Sequence, residues 1–367
     1  MPKSFDTIST PAVLLEQAII ENNIMRMKKL AARYRVSLRV HVKTHKIPEL
    51  AHRQIRAGAV GIAVAKVGEA EIFARTGIHD IQIANLVVGE DKLRRVARLT
   101  SRCRISLAVD STEHLKTIAS VLGRKSGRLQ LLAEVNSGLN RGGVDSYKEL
   151  EKIFKTAASM KGINLAGLMT HAGHAYGATS KEERSHIGTM EGAMLVNYAE
   201  RLRRSGYDIR IISVGSTPTA NYCAAVKGVT ELRVGNYIFN DMTQVALGVA
   251  PIDDCALTLM ATVISVPSRD RVVIDAGSKA LSLDKGAHGR NFVEGFGYIV
   301  GTGDRLSRLS EEHGIIDRPK GQYRIGDRLR IIPNHACAVM NLFDYAYLVS
   351  KRRVIEKVKI AARGRSD

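Results

Sequence analysis

The stretch LRVHVKTHK, residues Leu38–Lys46, begins as an apolar strand and ends in basic side chains. Its alternating leucine and valine residues predict a buried β-strand over Leu38–Val42. A charged amine directly after such a strand is costly unless a partner or a ligand uses it. Lys43 is therefore either a structural lysine paired with a carboxylate, such as Asp110 or Glu134, or a functional amine.

Seven similar β-branched runs follow this strand, and amphipathic helical patterns separate them. The eight predicted strands are LRVHVK, AVGIAVA, IQIANL, RISLAVD, LQLLAEVN, LAGLMTHAG, IRIISVGS and ELRVGNYIF. Strands that alternate with helices in this number predict a (β/α)8 TIM barrel, which we expect over residues 9–247. A doubly wound open sheet is the alternative, but no GxGxxG motif follows the first strand.

The sequence pattern changes after about Pro251. Strand-like segments such as CALTLMATVISV, RVVIDAGSKALSL and YRIGDRLRIIP are separated by turns and show little helical periodicity. We therefore predict a second, β-rich domain over residues 248–367, with which residues 1–8 could also pack.

The composition limits the classes of function. The formal charge is +19, from 55 Lys and Arg against 36 Asp and Glu, but the basic residues are spread over predicted helix surfaces, which is not typical of a nucleic-acid binding arm. No apolar run approaches the ~20 residues of a membrane span. The first residues lack the apolar region of a secretory signal. We expect a cytoplasmic protein with no membrane or nucleic-acid partner.

Polar residues follow most of the predicted barrel strands. The carboxyl ends of the strands face one mouth of a TIM barrel, where active sites lie. The residues at these ends are Lys43, Asn85, Asp110, Asn136, His171, His174, Ser216, Thr217, Gly235 and Asn236. Polar side chains thus converge on one mouth, with one lysine among them.

Two of these strand ends resemble phosphate-binding loops. In SVGSTPTAN, the glycine permits close approach of the backbone, Thr217 is a candidate N-cap, and Pro218 suits a first helical turn. RVGNYIFND supplies Gly235 and Asn236 from the neighbouring strand. Each motif alone also fits an ordinary capped helix or a turn, but together they favour a bound phosphate. A phosphate beside an isolated lysine suggests pyridoxal phosphate, whose aldehyde forms an imine with a lysine amine.

A second chemical motif is PNHAC, near the C-terminus. His335 and Cys337 are two residues apart, so both side chains share a face if the segment is extended. Imidazole nitrogen and thiolate form part of a shell for zinc or a similar divalent ion, and two ligands leave positions open for water and substrate. A core cysteine beside a surface histidine is the alternative.

These motifs occur in order along nearly the whole chain, together with TPAVLLE, EVNSGLNRGGV, HAGHAY and VIDAGSKAL. The chain resembles the D-threonine aldolase and D-serine dehydratase family, pyridoxal-phosphate enzymes that share the alanine-racemase-like barrel of fold type III. The resemblance implies a pyridoxal phosphate- and divalent-metal-dependent lyase acting on small D-3-hydroxy amino acids. It also implies a homodimer in which the barrel mouth faces the second domain of the partner subunit.

The resemblance further implies roles for individual residues. Lys43 is the Schiff-base lysine, Arg141 approaches the phenolic oxygen of the cofactor, and Tyr176 packs on the cofactor or hydrogen-bonds it. The other implied roles are phosphate binding by Ser216, Thr217, Gly235 and Asn236, a position near the pyridine nitrogen for Arg233, a catalytic base at His171 or His174, and metal binding by His335 and Cys337.

Two reactions fit this set of residues. Dehydration of D-serine or D-threonine gives a keto acid and ammonia, whereas retro-aldol cleavage gives glycine and an aldehyde. The His-x-Cys pair is dehydratase-like, since the aldolases usually show His-x-Asp, and we favour dehydration. Thiolate favours zinc, with manganese or magnesium as alternatives. An amino-acid racemase is the rival enzyme class, and 3-hydroxyaspartate is a candidate anionic substrate given the basic charge.

Overall fold

Strands form both a closed barrel and a separate sheet. The computed structural model describes residues 5–122, 129–351 and 353–367. The strands are β1 (Ala12–Glu16), β2 (Ser37–His41), β3 (Gly61–Val64), β4 (Asp80–Ile83), β5 (Arg104–Val109), β6 (Leu129–Glu134), β7 (Leu165–Met169), β8 (Ile211–Val214), β9 (Glu231–Val234), β10 (Leu257–Ser268), β11 (Arg271–Ile274), β12 (Tyr298–Ile299), β13 (Arg308–Leu309), β14 (Gly314–Asp317), β15 (Arg328–Ile332), β16 (Tyr345–Ser350) and β17 (Arg353–Lys359).

Helices connect the strands of the barrel. The helices are α1 (Gln17–Tyr34), α2 (Pro48–Arg56), α3 (Val67–Arg75), α4 (Glu90–Leu99), α5 (Thr112–Leu122), α6 (Tyr147–Ala158), α7 (Lys181–Arg204), α8 (Ala220–Cys223), α9 (Met242–Ala246), α10 (Ser278–Leu281) and α11 (Ala336–Met340). Within the part of the chain that the structure describes, no helix is long and apolar enough to cross a membrane.

The eight parallel strands β2–β9 close the barrel, and this confirms the predicted (β/α)8 fold. The barrel closes where β2 pairs with β9, in a register that places Val40 opposite Val234.

The close approach of β7 and β8 requires a glycine at position 167. A Cβ atom on Gly167 of β7 would lie 2.1 Å from the carbonyl oxygen of Ile211 on β8. No other residue fits there without displacing the backbone.

Charged side chains, rather than only aliphatic ones, fill part of the barrel interior. Arg39 of β2 donates hydrogen bonds to Glu231 of β9 at 2.8 Å and to Asp80 of β4 at 2.7 Å. Glu231 also accepts a hydrogen bond from the Ser213 hydroxyl at 2.7 Å. Burial lowers the pKa of Arg39, but the two neighbouring carboxylates outweigh it and the pKa is raised. This network joins β8, β9, β2 and β4, which lie close together around the barrel where it closes.

The chain divides into two compact units that interleave in sequence. The barrel unit comprises the described residues within Met27–Lys43, Pro48–Gly235 and Gly364–Asp367. The β unit comprises those within Met1–Arg26, Thr44–Ile47 and Asn236–Arg363. The predicted boundary between residues 247 and 248 stays a prediction.

The β unit is built on a nine-stranded sheet. Seven of its strands follow the order β13-β14-β11-β10-β1-β16-β17, and the other two are β15, which pairs with β10, and β12, which pairs with β15. Strand β1 was not predicted as a strand. It pairs with β10 in antiparallel fashion and with β16 in parallel, so that Leu14 lies opposite both Thr258 and Tyr347. Buried Phe5, Leu14 and Met260 belong to one apolar cluster on this sheet. The β-rich character of this part of the chain is confirmed.

Two segments that the sequence analysis interpreted as extended are short helices. The SKAL sequence of VIDAGSKAL forms α10, and PNHAC enters α11, with His335 as the N-cap residue. The extended geometry expected for His335 and Cys337 is therefore wrong. The helical turn buries Val339 and Met340, which follow the cysteine.

Replacing Arg39 with methionine should destabilise the barrel strongly. The change leaves the nearly buried Glu231 without its charged partner, and breaking a buried ion pair in this way costs about 3–5 kcal/mol. Arg104→Met is a matched control, because Arg104 pairs with the same Asp80 carboxylate while its own side chain is 71% exposed. The control should cost less than about 1 kcal/mol. Urea unfolding followed by circular dichroism measures both, and equal midpoints for the two variants would contradict the expectation.

Candidate functional site

The barrel mouth carries Lys43 in a short 3-10 turn, Val42–Thr44, directly after β2. Because strand side chains alternate, Arg39 and His41 share one face of β2 while Val40 occupies the other. Val40 and Val42 are fully buried. The backbone N–H of Lys43 donates to His41 Nδ1 at 3.4 Å.

Positively charged side chains dominate this mouth. Burial lowers the pKa of His41 well below its usual value of 6.5, and the charges of Lys43, Arg233 and Arg141 lower it further. The pKa of His171 is lowered well below 6.5 by burial and by the same three cations. Both imidazoles are therefore neutral near pH 7, while the positive charge remains on the lysine and the arginines.

Hydrogen bonding gives the neutral His171 a defined orientation. Its Nδ1 lies 3.2 Å from the carbonyl oxygen of Gly215. A carbonyl can only accept, so Nδ1 carries the proton and Nε2 is the basic nitrogen. His174 lies three residues further on, in the 3-10 helix Gly173–Gly177, which also contains the buried Tyr176. A Cβ atom on Gly138 would lie 3.2 Å from the His174 ring.

The loop after β8 is organised by a buried carboxylate that sequence reasoning missed. Glu191 of α7 accepts hydrogen bonds from the backbone N–H of Gly215 at 2.8 Å and of Ala172 at 3.2 Å. It also accepts one from the Thr219 hydroxyl at 3.1 Å. Burial raises the pKa of Glu191 although these three donors favour its charged form. One carboxylate thus fixes the loops that follow both β7 and β8.

The predicted cap of this loop is wrong by two residues. Helix α8 begins at Ala220, so Thr219 rather than Thr217 is the N-cap residue. The Thr219 hydroxyl accepts from the backbone N–H of Ser216 at 3.1 Å, which closes a tight turn in place of a side-chain cap. Ser216 and Thr217 are both largely buried within this turn.

The two predicted cofactor arginines differ in their surroundings. Arg233 is buried in the barrel and donates to the Ser213 hydroxyl and to the carbonyl of Thr170. Burial lowers its pKa, which the charges of Glu231, Glu134 and Glu191 partly offset. Arg141 is exposed and contributes to the cationic field.

This donor set fits pyridoxal phosphate. Lys43, Arg141 and Arg233 supply positive charge to one mouth, and His41 and His171 stay neutral there. Burial raises the pKa of Glu134, at the end of β6, which reduces the opposing negative charge. A ligand that carries a phosphate and a carboxylate is electrostatically favoured at such a mouth.

The β unit brings His335 and Cys337 together although they are not on a strand. Their side chains hydrogen-bond each other, and His335 Nδ1 lies 2.6 Å from Asp284 Oδ2. Burial lowers the pKa of His335, but Asp284 and Cys337 raise it to about 10. The Cys337 thiol also lies 3.3 Å from the Thr44 hydroxyl. Thr44 is the residue after Lys43 in the sequence.

Asp241 organises the segment that follows β9. Its carboxylate accepts from Asn236 Nδ2 at 2.6 Å and from the backbone N–H of Ala336 at 2.9 Å. It also caps α9 by accepting from the N–H of Gln244 at 3.1 Å. Gly235 and Asn236, the predicted phosphate-loop residues, directly follow β9. Asp241 therefore connects Asn236 with the residue that separates His335 from Cys337.

The His335 and Cys337 pair fits a divalent metal with two protein ligands. In residues 5–122, 129–351 and 353–367, no group of three or more His, Cys, Asp or Glu residues could hold a metal ion. A closed structural zinc site with four protein ligands is therefore not formed by these residues. Nitrogen and sulfur donors suit zinc, and a two-ligand site leaves coordination positions for water and substrate.

Sequence reasoning missed four side chains that shape these sites. His41 could have been found, because it lies two residues after Arg39 on the same face of the predicted strand. Glu191 and Asp284 gave no such signal, since each acts on residues far away in sequence. Asp241 bonds near neighbours as well, but its contact with the N–H of Ala336 spans 95 residues.

Comparison with protein families gives two matches that divide the chain. Residues 16–242 match the family described as "Alanine racemase, N-terminal domain". Residues 256–349 match the family described as "Putative serine dehydratase domain". The two matches follow each other without overlap.

Two relatives match over most of their length. D-threonine aldolase of Arthrobacter sp is 33% identical over 363 residues, which cover 97% of this chain and 93% of the relative. D-threo-3-hydroxyaspartate dehydratase of Delftia sp. (strain HT23) is 36% identical over 351 residues, which cover 90% of this chain and 92% of the relative.

Solved structures agree with these matches. A histidine-to-alanine mutant of D-threo-3-hydroxyaspartate dehydratase superposes with a TM-score of 0.91 at 33% identity and covers 98% of this chain and 96% of that chain. A cysteine-to-alanine mutant of the same enzyme, in the metal-free form, gives the same TM-score and identity, with 97% and 98% coverage. The chain therefore belongs to the family of D-threonine aldolase and D-serine dehydratase, in which an alanine racemase-type barrel precedes a serine dehydratase domain.

Proposed function

We propose that this protein is a pyridoxal phosphate- and divalent-metal-dependent lyase that dehydrates D-3-hydroxy amino acids to a keto acid and ammonia. The observation that carries the proposal is the meeting of His335 and Cys337 in a chain whose barrel mouth presents Lys43 in a cationic field. Neither feature alone distinguishes this family from other barrel enzymes.

The barrel residues would hold the cofactor. Lys43 would bind its aldehyde covalently, and Ser216, Thr217, Gly235 and Asn236 would contact its phosphate. Arg141 and Tyr176 would contact the ring, and Arg233 would lie near the pyridine nitrogen. When bound, pyridoxal phosphate supplies an electron sink for the bonds at the substrate Cα.

The chain's own groups handle the protons. With substrate bound, the Lys43 amine would take the proton from the substrate Cα. In the alternative retro-aldol cleavage, the neutral Nε2 of His171, or the ring of His174, would take the proton of the substrate hydroxyl. His335 and Cys337 would hold the metal, which supplies Lewis acidity to the β-hydroxyl of the substrate.

The choice of dehydration over cleavage rests on the metal pair. The comparison mutants of D-threo-3-hydroxyaspartate dehydratase replace a histidine and a cysteine two positions apart, and the cysteine mutant is described as metal-free. His335 and Cys337 have the same spacing. D-threonine aldolase is a relative at similar identity, so retro-aldol cleavage is the second candidate. A racemase has less support, because the relatives covering at least 90% of the chain that we compared are named for lyase reactions.

We also propose a homodimer, in keeping with the family resemblance. Size-exclusion chromatography with light scattering tests this statement directly, and a monomer that retains full activity would contradict it.

An end-point product assay should show ammonia together with a keto acid. Purified protein loaded with pyridoxal phosphate and Zn²⁺ is incubated with D-serine, D-threonine or D-threo-3-hydroxyaspartate, and ammonia, keto acid, glycine and aldehyde are measured together. Glycine with acetaldehyde from D-threonine would replace the dehydratase proposal with an aldolase. If no product forms and chelation has no effect, the metal-dependent lyase proposal fails.

Covalent attachment of the cofactor should depend on Lys43. Borohydride reduction of the loaded protein, followed by peptide mass spectrometry, should place a reduced pyridoxyl group on the Lys43 peptide. Lys43→Ala should lose both this adduct and all turnover, since no other amine is predicted to replace it. Lys227→Ala, at an exposed lysine of the same unit, is the control and should keep both. An adduct that persists in Lys43→Ala would contradict the assignment.

Protonation of His171 should not limit activity near pH 6.5. Burial and the charges of Lys43 and Arg233 hold the pKa of His171 well below 6.5, so Nε2 stays unprotonated until the pH falls far below that value. The acid limb of kcat, measured between about pH 5 and 9, should therefore lie below the ordinary histidine value of about 6.5. His186→Gln, at an exposed histidine, is the control. An acid limb centred near 6.5 that moves in His171→Gln but not in His186→Gln would contradict this expectation.

A further inference from the structure

We infer that Asp284 is a positioning residue for the metal site: its carboxylate holds the ring of His335 so that Nε2 is directed to the divalent ion. This inference rests on the proposed metal-dependent function, because it assigns a role within that same site. Asp284 lies 51 residues before His335, and no motif in the sequence connects the two.

The contact fixes both the tautomer and the orientation of the imidazole. Asp284 Oδ2 and His335 Nδ1 are 2.6 Å apart, a short distance typical of a charge-assisted hydrogen bond. A carboxylate accepts, so Nδ1 carries the proton. When the ring is neutral, the lone pair therefore lies on Nε2, the nitrogen that remains for a metal. A carboxylate that binds the second nitrogen of a ligating histidine also makes the ligand more basic.

Asn334, the residue before His335, holds the main chain of Asp284 in place. Asn334 Nδ2 donates to the backbone carbonyl of Asp284 at 3.0 Å and to that of Gly295 at 2.9 Å. Asn334 is only 2% exposed. The adjacent residues Asn334 and His335 thus hold the main chain and the side chain of the same aspartate. Such two-point attachment gives the dyad one geometry in the absence of a metal.

The backbone on the other side of Asp284 is also restrained. Its N–H donates to the Ser282 hydroxyl at 3.2 Å, and Ser282 has a positive φ of 59°. A serine side chain disfavours this backbone conformation. The turn is therefore held by the surrounding contacts, and it places the carboxylate at the imidazole.

The second proposed ligand has supporting contacts of its own. The Cys337 thiol lies 3.3 Å from the Thr44 hydroxyl, and the N–H of the intervening Ala336 donates to Asp241 at 2.9 Å. Each member of the pair, and the backbone between them, is thus bound to a separate polar group. This is the arrangement expected of ligands that must keep their positions for a metal.

A structural ion pair is the competing explanation. The Asp284 side chain is 44% exposed, and a half-exposed pair could serve only to hold the surrounding loop. That explanation predicts a change in thermal stability and no change in the affinity of the folded protein for metal. The positioning role predicts a change in affinity even where the protein stays folded.

The test measures Zn²⁺ affinity of the full chain, loaded with pyridoxal phosphate, by competition with a chromophoric chelator. Asp284→Asn should bind Zn²⁺ about 10–100-fold more weakly than the wild type, as losses of such carboxylates do. Asp317→Asn is the matched control, because its side chain is also 44% exposed, lies in the same unit and loses the same charge. Its affinity should equal that of the wild type.

The outcomes separate this inference from the function on which it rests. If the wild type binds no Zn²⁺, the proposed metal site fails and the inference fails with it. If the wild type binds Zn²⁺ and Cys337→Ala does not, but Asp284→Asn binds as tightly as the wild type, only the inference is overturned. The thermal midpoint of each variant is measured in parallel, so that loss of folding is not counted as loss of affinity.

Discussion

The guanidinium of Arg39 inside the barrel is the interaction on which the rest of this structure depends. It bonds Glu231 and Asp80 across strands that are far apart in sequence. Charges buried in this way are costly to separate, so the barrel closes in one register. That register places His41 beyond Arg39 on the same face of β2, with Lys43 in the turn that follows. The Glu231 carboxylate connects through Ser213 to the strand beside it. The ion pairs of Arg39 thus stabilise the strands that carry the residues of the barrel mouth.

Burial and positive charge then act together on the titratable groups of the barrel. Two histidines remain neutral because protonation would add charge beside Lys43 and the arginines. Neutral imidazoles can accept protons, whereas the amine and guanidinium groups attract anions. The β unit shows the opposite arrangement, in which His335 is surrounded by Asp284, Asp241 and Cys337 and its pKa is raised. One fold thus contains two histidine environments of opposite electrostatic sign.

Much of the fold could be predicted from the sequence, because all eight barrel strands are apolar runs with clear ends. The site could be predicted only in part. Strand ends revealed Lys43 and His171, but hydrogen bonds between distant segments, such as those of Glu191, leave no local pattern. The prediction of Thr217 as the N-cap residue is wrong because the Thr219 hydroxyl accepts from the backbone N–H of Ser216 and closes the turn before the helix begins. The prediction of an extended PNHAC segment is wrong because two residues that are two positions apart can share a strand or stand at the start of a helix.

The position of β1 affects the order in which the chain can fold during synthesis. This strand is made first, yet its two neighbours in the sheet, β10 and β16, leave the ribosome after the whole barrel has been made. The barrel strands β2–β9 can pair with one another in that interval, whereas β1 cannot pair until β10 and β16 have been made. A strand whose partners come late in the sequence is open to wrong pairing until they are made.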